Sequence, residues 1–218
     1  MAVLDPIIPH ILSARLIPNV HPGFAEKLGL RHEQKSLALV TCDIDDSLYV
    51  SLDDATKKAD VEVVYAHSFY AGSAHASGPL SGEIIGILAG PNPAEARAGL
   101  VACIDYAQTY AHFYRANQDG SLAFFAHTIS RSGSYLSAMA GVPGGTPLAY
   151  LIAPPIEATY AIDVALKRAE VELREWFKPP SETNFSGALL SGTQSACQAA
   201  CQAFQEAVLE IASAPLKY

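Results

Sequence analysis

The side chains best placed for chemistry are the carboxylates of the segment DIDDS at positions 43–47, which follows the apolar run SLALVT. An Asp-x-Asp pair at the end of a strand can attack phosphorus with one carboxylate and transfer a proton with the other. Such a site also needs a later acidic pair that holds magnesium, because the metal neutralises the phosphate charge. Beyond residue 60 the aspartates are Asp105, Asp119 and Asp163, and no two of them are adjacent. Phosphoryl transfer is therefore disfavoured.

Glycine turns and histidines suggest other chemistry, but none of them completes a motif. The turns in GPNPAEAR (90–97) and SGTQSAC (191–197) precede helical stretches and could hold a phosphate on helix N-terminal amides. They lack the lysine and Ser/Thr of a P-loop and the three glycines of a dinucleotide fingerprint. The seven histidines form no HExxH motif, and no Gly-x-Ser-x-Gly elbow is present. The segment 43–47 resembles the start of haloacid-dehalogenase-like phosphatases, but the later acidic pair of such a site is missing. We therefore expect that the protein is not an enzyme.

The four cysteines lack the paired spacing of a zinc site. Cys197 and Cys201 lie four residues apart in an Ala-rich helical stretch, so they share one helix face. We expect both to be small core residues, and half of a zinc site is the alternative. A reducing compartment would leave Cys42 and Cys103 as thiols too.

Composition limits the partners. The chain has 218 residues, of which 50% are hydrophobic and 17% charged, enough apolar side chain for one large domain or two of about 100 residues and for subunit interfaces. The net charge of −8 and the lack of a basic run argue against binding of nucleic acid. No stretch approaches the roughly 18 apolar residues of a membrane span, and no basic segment starts the chain. We expect a cytosolic protein that self-associates.

The chain contains an internal repeat. Residues 55–64 read ATKKADVEVV and residues 165–174 read ALKRAEVELR, with the Ala, Lys, Ala, Val and Glu positions identical and three further positions conservative. The flanks agree, since the apolar run at 36–41 corresponds to PLAYLI at 147–152. Downstream, 83–107 and 185–208 each read as a strand, a glycine turn and a long helix. Two copies of one unit follow from this match.

Each copy is predicted to run strand, helix, strand, long loop, strand, helix. A further strand precedes each copy, at 11–20 and at 121–130, and each of these strands is followed by a short helical stretch. Alternating strands and amphipathic helices predict an antiparallel sheet with helices packed on it. The predicted fold class is α+β, twice, with domains at residues 1–113 and 114–218.

The repeated segments resemble a known family. A helix ending in Leu-Lys-x-Ala-x-Val-x-Leu, followed by a strand, a loop, a strand and an Ala-rich helix, resembles the bacterial microcompartment shell domain. The spare strand comes first, which is the circularly permuted order. The segments TCDIDDS, GPNPAEARAGL and SRSGSYLS extend the resemblance over nearly the whole chain, to the permuted tandem shell proteins of ethanolamine-utilisation compartments.

The resemblance implies a flat homotrimer whose six domains mimic a hexamer, packed with other shell proteins of the compartment. It places Lys57 and Lys167 at the tile edge; as an alternative, both lysines offset a helix dipole. A central pore, gated for selective transport, would be lined by the loops 67–82 and 176–186, where histidines could also capture a metal. The pore residues would be His67, Phe69, Tyr70, Gly72, His75, Gly78 and Glu182.

The resemblance also implies a small pore in each subunit that binds ethanolamine, with residues from both repeats. Carboxylates would pair with the ammonium, and aromatic faces would add cation–π attraction. Alternatively, Asp45 and Asp46 cap the helix that follows them. The implied ligands are Asp45, Asp46, Glu83, Phe113, Thr183, Asn184 and Phe185.

Two other functions stay open at this point. The chain could be a tile of a compartment that processes another amine or alcohol, or a stand-alone sensor that binds small amines in the same pocket. No cofactor is required, although the family allows a cobalamin to contact the pore.

Overall fold

The computed structural model describes residues 2–68, 84–179 and 185–216. The chain divides into two units. The first unit comprises Ile8–Ala111 with the short segment Gly133–Leu136, and the second comprises Met1–Ile7, His112–Ser132 and Ser137–Tyr218. Each unit is an antiparallel sheet with helices, as the sequence predicts.

The first unit carries the first copy of the repeat. After β1 (Pro6–Ile7), which belongs to the second unit, the elements are β2 (Ile11–Ile17), α1 (Pro22–Lys27), β3 (Ser36–Cys42), α2 (Asp45–Lys58), β4 (Glu62–Ser68), β5 (Ile84–Gly90) and α3 (Pro93–Thr109). The strands pair antiparallel in the order β2-β3-β5-β4, so β3 lies between β2 and β5.

The second unit carries the second copy. Its elements are β6 (Phe113–Arg115), β7 (Ala123–Ile129), α4 (Ser134–Ala140), β8 (Leu148–Ala153), α5 (Pro155–Arg168), β9 (Val171–Phe177), β10 (Ser186–Gly192) and α6 (Gln194–Ser213). The sheet has the order β1-β6-β7-β8-β10-β9, so its last four strands repeat the order of the first unit. The pairing of β1 with β6 was not predicted from sequence.

The last helix of each repeat copy, α3 and α6, begins with a side-chain cap. Asn92 Oδ1 accepts hydrogen bonds from the backbone N–H groups of Ala94 and Glu95, and Pro93 occupies the first turn of α3. Thr193 Oγ1 accepts from the backbone N–H of Ala196 in α6. These side chains satisfy backbone donors that the helix itself leaves without partners.

The repeated sequence has a repeated backbone. At the end of α2, the N–H of Ala59 donates to the carbonyl of Ala55 at 3.1 Å. At the end of α5, the N–H of Ala169 donates to the carbonyl of Ala165 at the same distance. Two residues later, Val61 and Val171 begin the next segment with matching hydrogen bonds of 2.9 Å. The sequence match between residues 55–64 and 165–174 therefore reflects a true structural repeat.

Alternate strand residues fill two clusters in the first unit, one on each face of the sheet. On one face Ala38, Val40 and Cys42 pack with residues of α2 and α3. On the other face Leu37 and Ile87 pack with Ala25 and Leu28, from α1 and the residue that follows it. The sequence predicted the long helices on one face, and the structure adds the short helix on the other.

The core of the second unit has one large cluster. Small side chains of α5 and α6, such as Ala161 and Ala200, let both helices approach β8 and β10, where Leu151 and Leu190 are fully buried. Cys197 and Cys201 lie in this cluster, as predicted. Across the described ranges, no helix is both long and apolar enough to span a membrane.

Candidate functional site

Two adjacent carboxylates begin α2, directly after the buried strand β3. Asp45 and Asp46 are 8% and 6% exposed. The N-cap position is Ile44, with no side-chain capping bond, so neither aspartate is the N-cap residue. The backbone N–H of Asp46 donates to Asp45 Oδ1 at 2.8 Å. Both carboxylates lie in the first helical turn, where the helix dipole favours negative charge.

Burial dominates the electrostatics of Asp45. Desolvation raises its pKa above the ordinary value, and hydrogen bonds from the backbone of Asp46 and from the Ser68 side chain oppose that rise. Ser68 is itself buried at the end of β4, and its N–H donates to the Tyr49 hydroxyl at 3.0 Å. A cation placed against such a carboxylate favours its charged form, and this attraction offsets the free energy that burial costs the charged form. The site is thus chemically suited to an ammonium.

Two of the predicted aromatic ligands lie together in the second unit. Phe113 is on β6, 5% exposed, and its ring stacks on Phe125 at 5.1 Å between centroids. Its ring centroid is also 6.2 Å from that of Phe185, which precedes β10. The structure therefore brings Phe113 and Phe185 together, as an aromatic pair of the kind that can border a cation.

Of the remaining predicted ligand and pore residues, only His67 lies in the described ranges. His67 belongs to strand β4, near its end, and is exposed. Its ring centroid lies 6.2 Å from that of Tyr65. No group of three or more His, Cys, Asp or Glu in the described ranges is arranged to hold a metal ion. Nine predicted residues lie outside the described ranges, namely Phe69, Tyr70, Gly72, His75, Gly78, Glu182, Glu83, Thr183 and Asn184.

The two repeat-related lysines have different surroundings. Lys57 forms an ion pair of 2.9 Å with Asp54, lies 5.9 Å from the ring centroid of Tyr106, and keeps 21% of its side-chain surface exposed. Lys167 is 73% exposed and pairs with Asp163 one turn earlier on α5, at 2.6 Å. Lys167 is thus accessible to a neighbouring molecule, while Lys57 is largely engaged within its own unit.

Sequence reasoning missed a buried carboxylate that binds backbone groups far along the chain. Asp53 in α2 is 1% exposed and accepts hydrogen bonds from the N–H groups of Gly133 and Leu136, at 2.6 and 2.8 Å. Thr56 Oγ1 accepts from the N–H of Ser134 at 3.1 Å. The partners are about 80 residues apart in sequence, so no local pattern could have indicated them.

The fold is that of the shell proteins of bacterial microcompartments. The solved structure of the trimeric bacterial microcompartment shell protein PduB matches with a TM-score of 0.75 at 18% identity, over 94% of this chain and 89% of that one. EtuB from Clostridium kluyveri matches with a TM-score of 0.76 at 20% identity, over 93% and 88%. At such identities the likeness shows the fold alone. No family model matches the chain.

Nearer relatives identify the family. The structure of the ethanolamine utilization protein EutL from Leptotrichia buccalis is 55% identical, with a TM-score of 0.97 over the whole of both chains. The shell proteins EutL of Clostridium perfringens and Escherichia coli are 56% and 52% identical over 98% and 100% of this chain and 99% of their own. The chain belongs to the EutL family of bacterial microcompartment shell proteins. The predicted family and the tandem permuted shell fold are confirmed.

Proposed function

We propose that this shell protein is a structural tile without catalytic activity, which assembles as a flat homotrimer beside other shell proteins. The observation that supports this most directly is the repeated strand order, β2-β3-β5-β4 and β7-β8-β10-β9. One chain supplies two equivalent sheets, so three chains supply six. Closed rotational symmetry then produces a pseudohexamer, whose outline can tile a plane. The division into two shell domains is part of this proposal, with the predicted boundary between residues 113 and 114 moved to the change of unit between Ala111 and His112. The tile-edge roles of Lys57 and Lys167 are also part of it.

We further propose that the tile binds ethanolamine through Asp45 and Asp46, together with Phe113, Phe185 and the three predicted ligands outside the described ranges. The support is chemical. Asp45 is a buried carboxylate whose pKa is raised by desolvation, and an ammonium is the ligand that would offset that penalty. The loops 67–82 and 176–186 would line a gated pore for the compartment's metabolites. The name of the Leptotrichia relative, an ethanolamine utilization protein, agrees with this ligand.

Mass measurement and microscopy test the assembly. Size-exclusion chromatography with light scattering should give three times the chain mass of 23.1 kDa. Electron microscopy at low salt should then show two-dimensional arrays of three-fold particles. Monodisperse monomers would refute the tile, and discrete trimers that bind ethanolamine but never form arrays would favour the sensor.

Calorimetric titration tests the ligand. Ethanolamine should release heat with the unchanged protein and with Asp105→Asn, an exposed carboxylate of the same unit, but not with Asp45→Asn. The apparent affinity should also weaken as the pH falls through the raised pKa of Asp45, because a protonated carboxyl does not attract the ammonium. Equal heats from all three proteins would exclude this site.

A further inference from the structure

The N-cap residue of α2 does not hold the start of this helix. It is Ile44, whose apolar side chain makes no capping hydrogen bond. The bond from the N–H of Leu48 to the Ile44 carbonyl is 3.3 Å long, longer than the typical value of about 2.9–3.0 Å. Most helices are stabilised at this end by a capping side chain that accepts from free N–H groups. The orientation of Asp45 and Asp46 therefore depends on the turn of Asp43 and Ile44, which joins β3 to α2.

That turn is held by His10, the residue directly before β2. Asp43 Oδ1 accepts a hydrogen bond from the backbone N–H of His10 at 2.7 Å, and Asp43 Oδ2 lies 2.8 Å from Nδ1 of the same histidine. In return, the N–H of Asp43 donates to the His10 carbonyl at 3.3 Å. Both residues belong to the first unit, as do Asp45 and Asp46. Three hydrogen bonds thus join the start of β2 to the turn that precedes the two buried carboxylates.

These contacts assign the proton of the imidazole and the role of Asp43. A carboxylate accepts hydrogen bonds and does not donate them, so Nδ1 of His10 carries the proton that bonds to Oδ2. Both oxygens of Asp43 are engaged by His10, and the thiol of Cys42 also lies 3.8 Å from Oδ1. Asp43 is therefore occupied as an anchor, whereas Asp45 and Asp46 are the carboxylates that face a ligand in the proposed site.

We propose that His10 is a positioning residue for the ammonium site. Through Asp43 it fixes the turn before α2, so that Asp45 and Asp46 keep the orientation in which they bind the ligand. A carboxylate that is already held in its binding orientation loses less conformational freedom when the ligand binds. Binding groups need such support from the residues behind them. The inference rests on the proposed function, because it concerns the same ethanolamine site.

A purely structural role for His10 predicts a different result. The His10 side chain is 79% exposed, and exposed ion pairs contribute little to the stability of a protein. Removal of the imidazole should therefore leave the midpoint of urea unfolding almost unchanged. Loss of the anchored turn should appear instead in the affinity for ethanolamine, because the ligand must then pay for ordering the two carboxylates.

Calorimetric titration with ethanolamine compares three substitutions of His10. The amide of His10→Asn can donate from nearly the position of Nδ1, so this variant should retain most of the affinity. The amide of His10→Gln lies near the position of Nε2, and His10→Ala has no donor. Loss of an orienting partner weakens metal sites about 10–100-fold. For this exposed contact we expect the lower end, about a tenfold weaker affinity in His10→Ala and His10→Gln.

Two further variants test whether His10 acts through Asp43. The double variant His10→Ala/Asp43→Ala should bind no more weakly than Asp43→Ala alone, because both single changes break the same contact. Losses that add would show that the two residues act independently and would overturn the inference. The matched control is His21→Ala. His21 is an exposed histidine of the same unit, and its Nδ1 accepts a hydrogen bond from the backbone N–H of Gly23 at 3.2 Å, so its removal should leave the affinity unchanged.

The possible results separate this inference from the proposed function. An unchanged protein that gives no heat with ethanolamine refutes the proposed binding, and the positioning role with it. If the unchanged protein binds and His10→Ala binds equally well, only the positioning role is refuted. Equal losses in His10→Asn and His10→Gln also overturn it, since the position of the donor would then not matter. If His10→Ala unfolds early in urea, the comparison of His10→Asn with His10→Gln decides, because both retain a polar side chain of similar bulk.

Discussion

Replacing Asp53 with alanine removes the acceptor that holds the segment 133–136 on α2. The carboxylate accepts two backbone hydrogen bonds, at 2.6 and 2.8 Å, from donors that are buried in the first unit. Alanine offers no acceptor, so both N–H groups lose their partner away from water. We expect this to be among the most destabilising single changes to a charged residue in the described part of the chain.

The magnitude follows from two opposing contributions. A hydrogen bond to a charged group contributes about 1.5–3 kcal/mol to stability, and two are lost. Burial raises the pKa of Asp53, so removing the carboxylate also relieves a desolvation penalty. The net loss should be about 2–4 kcal/mol, or about 4–16 °C in Tm at the 2–4 °C per kcal/mol typical of chains this long.

Urea unfolding followed by circular dichroism measures the effect. Asp53→Ala should lower the midpoint with little change in slope, since the surface exposed on unfolding is nearly the same. Asp53→Asn, which retains one acceptor oxygen, should be intermediate. Asp105→Ala on α3, an exposed aspartate of the same unit, should stay within about 0.5 kcal/mol of the unchanged protein. Equal midpoints for Asp53→Ala and the unchanged protein would refute the role assigned to these hydrogen bonds.

Three further outcomes are expected. Burial raises the pKa of Asp45, so its ionised form destabilises the fold; the unfolding free energy of Asp45→Asn minus that of the unchanged protein should grow from pH 4 to pH 7, and a pH-independent difference would contradict this. Gly187→Ala places a Cβ against the backbone carbonyl of Leu151 and should cost about 1–3 kcal/mol in urea unfolding; an unchanged midpoint would exclude the overlap. Burial raises the pKa of Cys42 and Cys201 to about 12, so all four thiols should react with a thiol reagent only after denaturation, and rapid labelling of the native protein would show that they are accessible.

Much of the fold was predictable because its signals are local. Apolar runs marked β3 and β8, and the glycine turns in 90–97 and 191–197 marked the starts of α3 and α6. The match between 55–64 and 165–174 revealed the repeat, since a repeated helix end requires the same small and charged residues. The pairing of β1 with β6 was missed because a two-residue strand has no periodicity to detect.

The candidate site was only partly predictable. Asp45 and Asp46 were predicted as ligands from the family resemblance, and the structure places both at the start of α2. Their burial, which raises the pKa of Asp45, depends on residues that only the fold brings over them, and so does the Ser68 hydrogen bond that opposes this rise. The ethanolamine site as a whole stays a prediction.

The sequence by itself determined that the protein is two copies of one α+β unit, because equal side chains at equal spacing produce equal helices and strands. Tertiary structure alone decided where the copies differ. The Lys57 side chain is 21% exposed and that of Lys167 is 73% exposed, and Val50 is buried while Tyr160 is exposed. Burial depends on what covers a surface, and the segment that covers α2 comes from about 80 residues away. No local pattern carries that information.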